Sequence, residues 1–324
     1  MLYLESSNRF AGSSKYRTWI SRASALALAV LFSLGGLSPV FAQQPRLNVG
    51  YIPASDIVPL FIAKEKGFFE KRNVDATLTR VALAPNMPAA IISGDVQIGM
   101  GTAPVFIQAV QGGLDLVAVS GATRMKKDNP FAGLVVRSGL NLKSAADLKG
   151  RKVGIPGFRS QMDVLFRKWL MTQGMKPSDV NGVEVSLPLM NDVLKSGNID
   201  AAVVLEPFRS RIIDGGAGQT LANFVGDVDP DLSSAFWMAS RDWAEKNPAI
   251  VQAFREAWAE GIAYAAKNPE DAKQIEFQYL KLNSPVTPSY SSSISSSDLD
   301  TFVSLMKETG MLEQGIDTQR AILK

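Results

Sequence analysis

Residues 93–104 read Ser-Gly-Asp-Val-Gln-Ile-Gly-Met-Gly-Thr-Ala-Pro, and residues 196–207 read Ser-Gly-Asn-Ile-Asp-Ala-Ala-Val-Val-Leu-Glu-Pro. Each phrase is a polar Ser-Gly-Asp/Asn turn, a short apolar run and a second turn into the next helix. Short apolar runs bounded by such turns read as buried strands. The same strand-to-helix corner therefore occurs twice, far apart in the chain. The repeat predicts two similar α/β lobes. Two lobes with matching corners enclose a cleft, and small ligands bind in clefts beyond the carboxyl ends of strands.

Outward from the first corner, residues 47–52 alternate as a strand that ends at Pro53-Ala54-Ser55-Asp56. Asp56 is placed to cap a helix, Pro59 falls in its first turn and Gly67 stops it. A strand at 75–81, helices at 87–92 and 103–111 and a strand at 116–120 come next. This alternation implies a parallel sheet with helices on its faces. Residues 133–137 cross into the second lobe. There Ser144 caps a short helix, 151–156 is a strand, 161–173 is a helix stopped by Gly174, and 183–187 and 201–205 are strands. Residues 234–240 return to the first lobe. Asn247 is placed to cap a helix with Pro248 at its first position, and Ile250, Phe254, Trp258 and Ile262 recur every four residues as a core stripe. The Ser-rich stretch 289–297 reads as a loop, with Asp298 capping the last helices. The expected division is 46–133 with 236–324 as lobe 1 and 134–235 as lobe 2, joined by two crossover strands.

The beginning of the chain has another character. Lys15, Arg17 and Arg22 precede an apolar run over 23–37, followed by Pro39 and then Val40-Phe41-Ala42. This is the order of a secretory signal, with cleavage expected after Ala42; the run is short for a membrane span. The expected location is the periplasm. Of 34 basic and 31 acidic residues, four and one fall in 1–42, so 30 of each remain and the net charge becomes zero. A nucleic-acid role loses its electrostatic motive. The chain has no Cys and no His. That excludes a disulfide framework, a thiolate nucleophile, a Ser-His-Asp triad and a Cys/His metal site. No catalytic residue, metal or cofactor is expected, and neither nucleotide-gripping glycine motif is present.

Three phrases carry a family resemblance: Ala63-Lys64-Glu65-Lys66-Gly67-Phe68-Phe69-Glu70 with Val74-Asp75-Ala76-Thr77-Leu78, the phrase Ser93–Pro104, and Ala146-Asp147-Leu148-Lys149-Gly150-Arg151-Lys152-Val153-Gly154. In order and spacing the chain resembles the periplasmic substrate-binding proteins of ABC importers for alkanesulfonates, taurine, nitrate and thiamine-pyrimidine precursors, over nearly all of 46–280. The resemblance implies a type II Venus-flytrap fold, a small-molecule ligand at the lobe interface, and delivery to an inner-membrane permease. A monomer is expected. The same fold also carries a pyrimidine synthase that relies on histidine and iron; this chain has no histidine.

Four corners supply the candidate ligand-binding residues, because helix N-termini present free N–H groups there. They are Ala54, Ser55 and Asp56; Gly101, Thr102 and Ala103; Phe158, Arg159, Ser160 and Gln161; and Glu206. Ser120 and Phe236 join them from neighbouring strands. Arg159 is the sharpest: a guanidinium at a helix N-terminus pairs bidentately with a carboxylate or sulfonate, the alternative being a solvated arginine on the rim. The resemblance implies that the turn at Ser160 holds a ligand head group, although Phe158-Arg159 stands where smaller residues are common. Phe158 and Phe236 offer rings for stacking. Glu206 points the other way, towards a ligand with a donor group or a clamp between lobes. The expected ligand is a small organic anion, with a pyrimidine or other neutral nitrogenous molecule as the alternative.

Overall fold

The computed structural model describes residues 44–324, so the expected signal at 1–42 lies outside the described residues. Among the described residues eleven strands form two sheets. They are β1 (Arg46–Tyr51), β2 (Asp75–Arg80), β3 (Ile98–Gly101), β4 (Leu116–Lys126), β5 (Ala132–Arg137), β6 (Lys152–Ile155), β7 (Asn181–Glu184), β8 (Ala201–Leu205), β9 (Gly218–Ala222), β10 (Asp231–Ser240) and β11 (Ser289–Tyr290).

The first sheet runs β2-β1-β3-β10-β4-β11 and the second β7-β6-β8-β5-β9. The repeated phrases supply β3 and β8; β3 lies parallel beside β1, with Val49 opposite Ile98, and β8 parallel beside β6, with Val153 opposite Ala201. Beyond each comes an antiparallel strand, β10 or β5, that has just crossed from the other lobe. The two lobes thus share one strand order, and the sheets are mixed rather than the parallel sets expected from the alternation of strands and helices.

The chain leaves the first sheet after Lys126, enters the second at Ala132, and returns at Asp231. Ala132 and Gly133 therefore belong to the second sheet and Asp231–Ala235 to the first, which shifts both expected boundaries. The two crossing segments touch where Lys127 N donates to Pro230 O at 2.9 Å. Buried Arg209 fastens them: Nη1 donates to Pro130 O at 2.8 Å and Nη2 to Asn223 Oδ1 at 2.7 Å.

Helices cover both faces. Helix Pro248–Lys267 lies on helix Val58–Glu65, and Gly261 permits the approach, since a Cβ there would stand 2.3 Å from Pro59 O. Its stripe buries Phe254 and Trp258 against Trp237 of β10, edge to face. Burying such a side chain contributes about 1.5–3 kcal/mol. Several local expectations change. β4 continues six residues past Ser120, because 121–126 pair with β10. β7 sits at 181–184 and Leu187 starts a 3-10 turn instead. Asn247 makes no cap; its Nδ2 donates to Trp243 O. Asp298 forms a capping box with Ser295 and also holds Arg124, which is paired with Asp231 as well.

Candidate functional site

The four corners converge on one cavity between the lobes. Its volume is about 50 Å³, room for a few waters or a small polyatomic head group. The first lobe contributes Ile52, Ala54, Asp56, Ala84, Met100, Thr102, Met125 and Ser234; the second contributes Pro156, Ser160, Gln161, Met162, Leu187 and Leu205. The lobes meet around it, where Ser55 N donates to Glu206 O at 3.3 Å and Gln161 Nε2 to Ser233 O at 3.2 Å.

The walls are apolar, and the polar atoms they carry are unmatched. Asp56 Oδ1, Thr102 Oγ1, Ser160 Oγ and Gln161 Oε1 are all buried without a hydrogen-bond partner. Buried polar groups are almost always paired, and an orphan costs about 1–3 kcal/mol. Four such atoms gathered on one cavity make it the candidate ligand site.

Thr102 and Ser160 each stand immediately before a helix, in extended conformation, and neither side chain caps it. The free N–H groups of helices Ala103–Gln111 and Gln161–Thr172 therefore face the same space, with about half a positive charge at each N-terminus. Asp56 does not cap either. It lies inside a 3-10 turn, Ser55–Ile57, that precedes helix Val58–Glu65. Burial pushes its carboxyl up to about 7, against a smaller pull from its own backbone N–H.

Of the residues expected from the sequence, Ala54, Asp56, Thr102, Ser160 and Gln161 line the cavity. Gly101 lies in β3 against Met238, and Ala103 is buried at the first helical position. Ser55 is buried behind the wall, where its carbonyl accepts from Tyr290 Oη. Ser120 points away from the cleft, its hydroxyl donating to Gly121 O and Ser292 O. Phe236 is core, packed edge to face on Phe106. Glu206 is buried at a cis bond to Pro207 with Oε2 accepting from Ser210 N; burial raises its pKa, while Ser210 and Arg209 oppose the rise.

Phe158 and Arg159 lie outside the cavity. They line a neighbouring groove of about 370 Å³ with Pro85, Val105, Gln108 and Leu114. Arg159 has φ 61, and its side chain bonds Gln108 Oε1 and Met311 O of the first lobe. It bridges the lobes rather than lining the cavity. The remaining cavity residues, Ile52, Met100, Met125, Met162, Leu187 and Leu205 among them, escaped the sequence reading because an apolar residue in a cleft has the pattern of core. Position was the available signal: Ile52, Met100 and Leu205 sit at the carboxyl ends of β1, β3 and β8.

A sequence model described as the NMT1-like family matches residues 42–277. The chain belongs to the NMT1-like family. An Escherichia coli K12 protein named for binding aliphatic sulfonates is 28% identical over 271 residues, covering 82% of this chain and 81% of the relative. The alkanesulfonate-binding protein SsuA from Xanthomonas axonopodis pv. citri, solved bound to MOPS, superposes with TM-score 0.74 at 19% identity over 87% of this chain and 99% of its own. The periplasmic nitrate-binding protein NrtA from Synechocystis PCC 6803 superposes with TM-score 0.71 at 19% identity, covering 85% and 84%. This NMT1-like chain has the two-lobed periplasmic-binding-protein fold.

Proposed function

We propose that the protein is the periplasmic solute-binding component of an ABC import system. It captures a small organic anion, a sulfonate or a short or aromatic carboxylate, between its lobes and delivers it to a membrane permease. The observation that carries this reading is the pair of unpartnered hydroxyls, Thr102 and Ser160, each at the N-terminus of a helix and facing one cavity from opposite lobes. Anions bind at helix N-termini through free N–H groups. The names of the relatives, for sulfonates and nitrate, support the same class. Binding and release, not turnover, is the proposed activity, and the unit acts as a monomer.

One observation favours the second reading, a pyrimidine or other neutral nitrogenous ligand: among the described residues no lysine or arginine lines the cavity, and Asp56 does. A thermal-shift screen with sulfonates, carboxylates, nitrate and pyrimidines separates the two. Ligand at a hundred times its Kd adds about 2.7 kcal/mol, enough to raise Tm by several degrees. A shift with acids supports the first reading; a shift with pyrimidines alone transfers the pocket to the second.

A further inference from the structure

Among the described residues, Asp56 is the only ionisable side chain that lines the cavity. It is 1% exposed, and its Oδ1 has no hydrogen-bond partner. A carboxyl group sealed between apolar walls without a cation sheds its charge by keeping its proton. The protonated group has an O–H to donate, whereas a carboxylate only accepts. Ionised, Asp56 would cancel the partial positive charge that the helix N-termini at Thr102 and Ser160 offer an anion. As an acid it leaves that charge in force and adds a donor to the two hydroxyls.

We infer that Asp56 holds the solute as a carboxylic acid, donating a hydrogen bond to it, so that the cleft takes up an anion together with a proton. This rests on the reading of the cleft as a site for small organic anions. The proton comes from solvent and sits on the Asp56 carboxyl, between its oxygen and an oxygen of the anion. Anion and proton together add no net charge to the closed interior. When the lobes part, water reaches Asp56, the carboxylate regains its hydration and the proton leaves. The donor then becomes a negative charge beside the anion, which favours release. The lining of the cavity fits this device, because a lysine or arginine there would keep Asp56 ionised and remove the donor.

The surroundings of Asp56 favour the acid form. Tyr290 on β11 faces it, with Glu276 on helix Pro269–Leu280 and Glu206 of the other lobe beyond, and all three are acidic groups. The charges on the elements packed against its turn are engaged elsewhere. Arg124 of β4 pairs with Asp231 and Asp298, and Lys126 is exposed at the end of that strand. Lys64 of helix Val58–Glu65 pairs with Glu70, Glu65 accepts from Tyr279, and Lys273 pairs with Glu270. Across the cavity, Asp163 is committed to Arg167. Burial outweighs the pull of the Asp56 backbone N–H and raises its pKa to about 7 before any solute arrives. An anion at hydrogen-bond distance raises it further.

Titration calorimetry with ethanesulfonate, propanoate and benzoate tests this. Repeated in phosphate and in Tris, whose heats of ionisation differ, it counts the protons taken up with each anion. The unaltered protein should take up about one proton per anion bound at pH 8 and almost none at pH 5.5. Its affinity should be level below pH 6 and fall about ten-fold per pH unit from pH 7.5 to 9. Asp56→Asn keeps an N–H donor and cannot titrate, so it should bind the same anions without proton uptake and with level affinity from pH 6 to 9. Glu206→Gln and Glu276→Gln should keep the uptake. An anion bound at pH 8 with no proton overturns the inference and leaves the anion reading standing. So does uptake that survives Asp56→Asn, which would place the proton on another group. Absence of binding by all three anions from pH 5.5 to 9 overturns the anion reading and the inference together.

Discussion

Arg159 and Gln108 hold each other across the cleft in both directions. The Arg159 guanidinium Nε donates to Gln108 Oε1, and Gln108 Nε2 donates back to the Arg159 carbonyl at 2.9 Å. Arg159 belongs to the corner after β6 and Gln108 to helix Ala103–Gln111 of the other lobe. Arg159 Nη2 adds a bond to Met311 O at 3.2 Å, and Lys168 pairs with Glu308 nearby. These contacts close the rim beside the cavity without entering it.

Replacing Arg159 with alanine should therefore loosen closure rather than destroy the pocket. Exposed hydrogen bonds and ion pairs of this kind contribute about 1 kcal/mol. Affinity should fall three- to ten-fold, almost entirely through faster release, as measured by stopped-flow dissociation. A loss beyond a hundred-fold would return Arg159 to direct ligand contact. The backbone adds a second test. At φ 61 a non-glycine residue is strained by roughly 1–2 kcal/mol. Arg159→Gly should melt above Arg159→Ala while releasing solute equally fast.

Thr102 and Ser160 should separate binding from stability. Both hydroxyls are buried and bond to nothing in the protein, so removing either leaves no partner behind. Thr102→Val and Ser160→Ala should keep or slightly raise Tm without solute. Hydrogen bonds to a charged ligand are worth about 1.5–3 kcal/mol, so each substitution should weaken anion binding ten-fold or more. Differential scanning calorimetry and titration calorimetry on the same samples check the two halves. A fall in Tm without solute would show that the hydroxyls serve the fold.

The contrast between these residues shows what was legible. Local signals were: Gly67 and Gly174 stop their helices at positive φ, Ser144 and Asp147 form a capping box, and the twin phrases supply equivalent strands. Signals that depend on distant pairing were not. The run 121–126 contains Gly, Thr, Arg and Lys, and becomes a strand only because β10 arrives to pair with it. Asp56 and Thr102 have the composition of caps, but Asp56 lies inside a 3-10 turn and Thr102, although at the N-cap position, makes no side-chain bond to its helix. The charge of Arg159 was visible beside a helix N-terminus. Its positive φ, which governs where the side chain leaves the corner, was not.

Arg209 should control the hinge. Its guanidinium bonds Pro130 O on one crossing segment and Asn223 Oδ1 on the other, and adds Thr220 Oγ1 at 3.2 Å. Burial lowers its pKa, and the charge of the nearby Glu206 carboxylate opposes the fall. The bond set ties the two connections through which the lobes move. Arg209→Met preserves the packed stem and removes the tie. It should lower Tm by a few degrees, since the half-buried Pro130 carbonyl loses its partner while the exposed Thr220 and Asn223 side chains turn to water, a loss of about 1 kcal/mol. It should also broaden the distribution of interlobe distances, read by spin labels on the two lobes. An unchanged distribution would confine Arg209 to a packing role.

Acidity should stabilise the empty protein, and Asp56 should carry part of the effect. Its pKa rises from an ordinary 3.8 to about 7 on folding because burial penalises the ionised form. Burial also raises Glu206 and Glu276. Between pH 4 and 7 these three groups bind more protons in the native state than in the unfolded chain, so their contribution to stability falls as pH rises through that window and levels off above it. For Asp56 alone the rise converts to at most about 4 kcal/mol. Asp56→Asn cannot ionise, so it should match the parent near pH 4.5 and melt above it at pH 8. Denaturation curves at both pH values, without solute, check the sign. A parent that stays as stable relative to Asp56→Asn at pH 8 as at pH 4.5 would mean that Asp56 is ionised and already paired inside the closed cleft.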